Sequence, residues 1–388
     1  MKVALISHEG GGISSVSFGL AQSLAKNNID TTILTGPLVH AHESKRVNSH
    51  LKIVRLPILD LPPRAFWFQI LNLRRLRKLL KDSTVIHGVS PDASFFFTFC
   101  KKKLKKPFVA TIHGSPRTLQ RVFINSPIAS WTLGDLGYQI IEFPLHDFTI
   151  DRILRGSNHT VVCSFTVLEE LKAYRSLDLS KVSVIYNGIN FDEIEKIEVS
   201  SEDDKDDLSI VFAGRLFWTK GVMLLLEAFR LLKREFSKVQ LNIFGKGPLE
   251  RRIKEFIVNS DLSDSVHCRG FVTRQELLAE VKKSDAVVLP SMSEAQPIFI
   301  LEAMACKKPL VAFDIPSMRE IISDEESGLL AEAFNVNDLY NKIQLLLSDM
   351  KLRSRLGQNA FNYVKKEHSW DMQVEKYIQV YENVVMRN

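Results

Sequence analysis

The sequence predicts an α/β protein of two units, each built on a parallel sheet. Three observations carry this. The 388 residues exceed the roughly 250–300 at which a single core stops growing. Short apolar runs alternate with segments of helical spacing, the grammar of parallel α/β sheets. The alternation halts at a charged stretch without an apolar anchor, SEDDKDD (201–207), and then restarts.

Taken in order, KVALIS opens the chain as a buried strand. HEGGGISS (8–15) turns it into a helix on which Val16, Leu20 and Leu24 share a face. TTILTG, LKIVRLP, TVIHG, PFVATIHG and HTVVCS complete the strands of the first unit, residues 1–190. The second unit, 191–369, has strands LSIVFAG, KVQLNIFG, SVHCRG, DAVVLP and PLVAFD, with helices over 221–236, 274–283 and 297–306. The end of the chain, SWDMQVEKYIQVYENVV, is an amphipathic helix. Trp370, Val374, Tyr377, Ile378 and Tyr381 lie on one side of it, a stripe that has to be buried somewhere.

An apolar content of 45% and a charged content of 25% fit an ordinary globular protein, and 18 Gly and 14 Pro mark no low-complexity class. No apolar run reaches the roughly 18 residues of a membrane helix, and the first apolar run is too short for a signal peptide. Cys100, Cys163, Cys268 and Cys306 are scattered, with no C-x-x-C pair. That argues against a zinc site and a disulfide framework and suits a reducing cytoplasm. The net charge of +6 is uneven: residues 1–190 hold 24 Lys+Arg against 13 Asp+Glu, and the rest 27 against 32. A basic half suits an anionic partner, or is simply a solvated surface.

The chemistry concentrates in the second unit. SEAQPIFILEAMA (293–305) places Glu294 and Glu302 around an apolar run with Pro297 just inside it. Proline favours the first position of a helix, because the N–H it lacks is unsatisfied there anyway. A helix starting near Pro297 offers free N–H groups and partial positive charge to an anion. The two acids flank that site and accept from hydroxyls, so a ligand with hydroxyls on both sides of a phosphate fits, namely a nucleotide-sugar. Taken alone, Glu294 is equally a helix cap and Glu302 a surface residue. FAGRLFWTKG adds Arg215 and Lys220 at the carboxyl edge of the same sheet, where cations grip phosphate oxygens. The alternative is two surface cations. In the first unit, HEGGGISS lacks the last glycine and the closing acid of a dinucleotide fingerprint, since Ser15 stands at the one and Asp30 precedes TTILTG. It remains a turn that either approaches a phosphate closely or holds no ligand. His113, in TIHGS, ends a strand and is either structural or turned to a cleft.

These motifs, with YNGIN and IFGKGPLE, follow the order found in the retaining GT-B glycosyltransferases of family 4 (glycosyl transferases group 1), which the chain resembles over nearly its whole length. The resemblance implies two Rossmann-like domains facing across a cleft, with the helix 370–388 returning to the N-terminal acceptor domain. It implies a donor such as a UDP- or GDP-sugar, held mainly by the C-terminal domain, and no cofactor or metal. Arg215 and Lys220 should hold the diphosphate, Glu302 the ribose hydroxyls and Glu294 the transferred sugar. Pro297, Ile298 and Phe299 should form the anion end of the helix. Gly11 and Gly12 should approach the phosphate, and His113 should lie beside the sugar. The backbone at Gly270, Phe271 and Val272 should read the base. Two positions depart from the family pattern. Ala295-Gln296-Pro297 follows the first Glu in place of the frequent G-F-G, and Asn190 stands for the frequent Asp after NGI. The one D-x-D, Asp204-Lys205-Asp206, lies in the charged connection, a poor place for a metal.

On the acceptor side, residues 62–82 couple Phe66, Trp67 and Phe68 to Arg74, Arg75, Arg77, Lys78 and Lys81, and FFFTFCKKKLKKP repeats the theme. Such a segment suits an anionic membrane surface, and equally a core helix with a solvated basic face. Partners are therefore expected to be a nucleotide-sugar and a glycan, lipid or lipid-linked acceptor, with the enzyme in the cytoplasm, either free or peripheral on the cytoplasmic membrane face. Nucleic acid is not expected, because no reading module is present. A nucleotide-sugar epimerase and a non-catalytic nucleotide-sugar-binding subunit stay open.

Overall fold

The structure, a computed structural model, describes residues 1–7, 12–36, 49–57, 64–91, 93–94, 105–124, 143–199 and 207–387. The chain divides into two compact units. The first runs to Gly188 and takes back the last helix, Trp370–Met386; the second runs from Ile189 to Ser369.

The first unit is a seven-stranded parallel sheet of order β3-β2-β1-β4-β5-β6-β7. Its strands are β1 (Lys2–Ser7), β2 (Asp30–Thr35), β3 (Leu51–Arg55), β4 (Val85–Gly88), β5 (Phe108–Ile112), β6 (His159–Val162) and β7 (Val182–Val184). β4 and β5 are buried at every residue, as expected of strands covered on both faces. Asp30 opens β2 rather than closing it. The edge strand β7 was not legible, since three residues give periodicity too little length.

The second unit is a six-stranded parallel sheet of order β10-β9-β8-β11-β12-β13. Its strands are β8 (Ser209–Ala213), β9 (Gln240–Phe244), β10 (Val266–Gly270), β11 (Ala286–Leu289), β12 (Leu310–Phe313) and β13 (Leu329–Ala331). The expected helices form as Val222–Leu232, Arg274–Lys283 and Ile298–Ala305. The three-residue strand β13 escaped the sequence for the same reason as β7.

The returning helix explains two glycines. Trp370 is wedged so tightly that a Cβ on Gly19 would lie 2.1 Å from its Nε1, and one on Gly188 2.3 Å from its Cδ2. Gly19 interrupts the helix Gly12–Lys26, and Gly188 belongs to YNGIN; both make room for one indole. Two residues on, Asn190 accepts from the Glu193 amide at 3.3 Å and caps the helix Phe191–Glu195. Asparagine here does the capping work that an aspartate would. The buried stripe of the last helix is as predicted, except that Val380 is buried and Ile378 only half so.

Deeper in, Tyr381 and Thr111 hydroxyls each lie 2.7 Å from one ring nitrogen of the fully buried His87. Burial, with His113 nearby, pushes the His87 pKa down to about 3. The imidazole is therefore neutral in the fold, whereas the unfolded chain takes up that proton near its ordinary pKa of 6.5. Stability is complete above that value and is lost as pH falls toward 3, by up to about 1.4 kcal/mol per pH unit. Unfolding free energies at pH 7.5 and 5.5 are expected to differ by about 1.4 kcal/mol, and His87→Asn to reduce that difference. At neutral pH Tyr381→Phe is expected to cost about 1–3 kcal/mol by orphaning one ring nitrogen.

Candidate functional site

In the second sheet, successive connections leave β8 in opposite directions. The reversal falls between β8 and β11, which pair as Ala286 with Ile210 and Val287 with Val211. At such a reversal the loops beyond the strand ends splay apart, and open α/β sheets bind ligands there. The loop after β8 carries Arg215 and Lys220, and the loop after β11 carries Glu294.

Backbone contacts fix these loops. The Met292 amide donates to the Thr219 carbonyl at 2.8 Å, joining the two. Gly221 adopts φ +67°, and a Cβ there would stand 1.9 Å from the Pro290 carbonyl oxygen. On the other side, the Leu216 amide donates to Lys246 at 2.9 Å and the Leu249 amide to Leu216 at 3.1 Å. Gly245, φ +133°, passes so close that a Cβ would sit 1.9 Å from the Gly214 oxygen. The glycines of GRLFWTKG and IFGKGPLE therefore serve one end, holding the cation-bearing loop between its neighbours.

Arg215 is exposed, with its guanidinium 5.4 Å from the Phe217 ring centre and no carboxylate paired to it among the described residues. Lys220 is partnered: its Nζ donates to Glu294 Oε1 at 2.5 Å, and the two side chains are 21% and 10% exposed. Glu294 is thus not the cap of the following helix. That helix begins at Ile298, with Pro297 in the cap position and no side-chain cap bond, one residue later than predicted. Ile298 and Phe299 are half-exposed in its first turn, where amides have no intrahelical acceptor.

Glu302, one turn further, is not a surface residue. It is 5% exposed, and its Oε1 accepts from Arg274 Nε at 2.5 Å. Arg274 Nη1 reaches Glu193 Oε2 at 3.1 Å. Burial opposes the charge on Arg274, but Glu302 and Glu193 outweigh it and hold the guanidinium above its ordinary pKa. Cys306, next on the same helix, is pushed up to about 12 by burial and by Glu302. Sequence reasoning missed both Arg274 and Glu193. One signal was available: Arg274 opens a helix behind the Thr273–Glu276 capping box, where a cation opposes the helix dipole.

Gly270, φ +70°, ends β10 next to exposed Phe271 and half-buried Val272; a Cβ on Gly270 would meet nothing within 4 Å. Among the residues predicted in the first unit, Gly12 opens the helix after β1 and is exposed, while Gly11 lies outside the described residues. His113 follows β5, and its Nε2 contacts the Val89 carbonyl at 2.8 Å. Burial lowers its pKa to about 4, so it is neutral at pH 7 and Nε2 donates. Ser115, two residues on, donates its amide to Glu170 at 3.0 Å. Arg117 forks onto Asp147 at 2.6 and 3.0 Å.

Arg74, Arg75, Arg77 and Lys78 project from the helix Arg64–Leu80 beside Leu71, which is 49% exposed. Phe68 is fully buried, so it belongs to the core and not to the surface aromatic group predicted with it. The side chains of Phe66 and Trp67, most of FFFTFCKKKLKKP, and Asp204 to Asp206 lie outside the described residues. Among the described residues no three His, Cys, Asp or Glu are grouped to hold a metal, and no helix is long and apolar enough to cross a membrane.

Breaking the Lys220–Glu294 pair from one side leaves a charge in a mostly buried place. Lys220→Met is expected to cost about 1–3 kcal/mol. The double variant Lys220→Met with Glu294→Gln is expected to recover much of that loss, as a double-mutant cycle of thermal or denaturant unfolding would measure.

Two family profiles match the chain, "Glycosyl transferases group 1" over residues 193–363 and "Glycosyltransferase Family 4" over residues 10–193. An alpha-D-kanosaminyltransferase of Streptomyces kanamyceticus is 26% identical over 88% of this chain and 92% of its own. An uncharacterized glycosyltransferase of Methanocaldococcus jannaschii is 33% identical over 53% of this chain, which spans about half, 54%, of that relative's length. Among solved structures, a sucrose-phosphate synthase from Thermosynechococcus elongatus aligns over 100% of both chains with a TM-score of 0.81 at 19% identity. Anabaena HepE, solved with UDP and glucose, aligns over 99% of this chain and 100% of its own with a TM-score of 0.74 at 16% identity. The two profile matches together run from residue 10 to 363 over two Rossmann-like units, and the chain belongs to family 4 of the GT-B glycosyltransferases.

Proposed function

We propose that the protein moves a hexose-type sugar from a nucleoside-diphosphate sugar to a hydroxyl of a glycan, lipid or lipid-linked acceptor, with retention of configuration. One observation carries this reading. Around a single strand reversal stand an Arg215 with no carboxylate partner among the described residues, a Lys220 poised on Glu294, the first turn of a helix, and the carboxylate of Glu302.

The chemistry follows from charge. Breaking the sugar–phosphate bond puts negative charge on the leaving diphosphate. In this reading Arg215, Lys220 and the first-turn amides of Ile298 and Phe299 stabilise that charge. The Lys220 ammonium would then exchange Glu294 for a phosphate oxygen. That exchange frees the Glu294 carboxylate to accept from hydroxyls of the transferred sugar. Glu302 would take the ribose hydroxyls, and the backbone of Gly270 to Val272 the base. His113, whose Nε2–H is committed to Val89, can offer Nδ1 to a sugar hydroxyl as an acceptor. The acceptor hydroxyl attacks from the face the diphosphate leaves, its proton passing to a donor phosphate oxygen. No metal is needed in this reading. Anabaena HepE, solved in complex with UDP and glucose, lends support to the donor class.

Because Arg215 is exposed, Arg215→Ala is expected to change stability by no more than about 0.5 kcal/mol. It should nonetheless slow donor turnover roughly a hundredfold, the usual cost of losing one such donor. Release of nucleoside diphosphate from a donor sugar without acceptor measures it. Unchanged release in Arg215→Ala and in Glu294→Ala would favour the non-catalytic binding subunit.

The exposed basic face of the helix Arg64–Leu80 supports a lipid-linked acceptor and peripheral attachment to a cytoplasmic membrane face. Liposomes with anionic lipid are expected to float the intact protein, and Arg74→Ala with Arg75→Ala to reduce flotation. Flotation unchanged by that pair would count against attachment through this helix.

A further inference from the structure

The reading above gives Glu302 to the ribose; what sets Glu302 in place is a separate question. The answer lies in three segments. Glu302 is on the helix Ile298–Ala305, Arg274 opens the helix Arg274–Lys283, and Glu193 is on the helix Phe191–Glu195.

Arg274 is costly where it stands. A cation in the first turn opposes the helix dipole, and this side chain is only 22% exposed. Its backbone is nevertheless tightly held. Thr273 Oγ1 accepts from the Glu276 amide at 3.2 Å, and the Thr273 amide donates to Glu276 Oε2 at 2.7 Å. Two different edges of the guanidinium are committed, Nε to Glu302 and Nη1 to Glu193. A planar fork held on two edges has its orientation fixed, which a flexible ammonium would not achieve. Among the described residues Glu302 Oε2 has no protein donor, while Oε1 is taken by Arg274. Two carboxylates share one cation, so the group keeps a net negative charge and acceptor capacity. A vicinal diol, with two O–H donors, is the ligand chemistry that matches.

We propose that Arg274, braced by Glu193, is the positioning residue that aims Glu302 at the ribose diol, and so sets the preference of the site for ribonucleotides over 2′-deoxyribonucleotides. The proposal rests on the assignment of Glu302 to the ribose.

Calorimetric titration with UDP and with 2′-deoxy-UDP tests it, with the GDP pair replacing them where GDP binds more tightly. The wild type is expected to bind the ribonucleotide at least tenfold more tightly. In Arg274→Gln that ratio is expected to collapse to within about twofold. Arg274→Lys keeps the charge but not the fork, and should recover less than half of the lost preference on a logarithmic scale. Glu193→Gln should give an intermediate ratio. Glu302→Gln is the arm that separates the two ideas. A ratio untouched by Glu302→Gln would sink the ribose assignment itself. A ratio abolished by Glu302→Gln yet preserved in Arg274→Gln would overturn the role of Arg274 alone. Tighter ribonucleotide binding in Arg274→Gln would overturn it too, because Arg274 would then be blocking Glu302. Melting temperatures accompany each variant, and Arg274→Lys carries the comparison if Arg274→Gln does not fold.

Discussion

The reversal of strand order between β8 and β11 is the constraint on which the candidate site depends. At this one place the strand order turns back, the position at which open α/β sheets bind ligands. Arg215, Lys220 and Glu294 are there because their loops start from those two strands, and the helix carrying Glu302 follows the second of them.

The loops at this point are fixed by contacts between their backbones. Gly221 lies against Pro290, Gly245 against Gly214 and Gly247 against Leu216, at distances no Cβ tolerates. Loops packed main chain to main chain have little freedom to reorganise, and preorganised charge is what a reaction that develops negative charge requires. The charges are also balanced before any ligand arrives. Lys220 satisfies Glu294, and Arg274 satisfies Glu302. Carboxylates this buried would otherwise be costly to keep ionised. Arg215, on the same loop as Lys220, is exposed and has no carboxylate partner among the described residues.

The first unit applies the same economy to its last helix. Two glycines far apart in sequence, Gly19 and Gly188, close on the Trp370 indole. Seven residues along the helix from Trp370, Tyr377 packs by its neighbour His87, with ring centres 5.7 Å apart. Tyr381 and Thr111 occupy both nitrogens of that histidine, which burial keeps neutral. A segment nearly two hundred residues removed in sequence is thereby made part of the first unit's core.

The alternation of apolar runs with helical spacing determined the two parallel sheets, because a strand buried on both faces and a helix of period 3.6 leave unmistakable local patterns. The order of the motifs determined the family. Local pattern also placed Pro297 within one residue of the helix start. The three-residue strands β7 and β13 stayed hidden because so short a run has no period to detect. Only tertiary structure decided the charge partners. Lys220 and Glu294 are 74 positions apart, Arg274 and Glu302 28, and Glu193 and Arg274 81. Chain spacing says nothing about such pairs, since they meet through the sheet order and not through any helix or strand repeat. Burial was likewise out of reach: Phe68 read in sequence as part of a surface aromatic group, and for Glu302 a surface position stayed open as the alternative, yet packing put both inside.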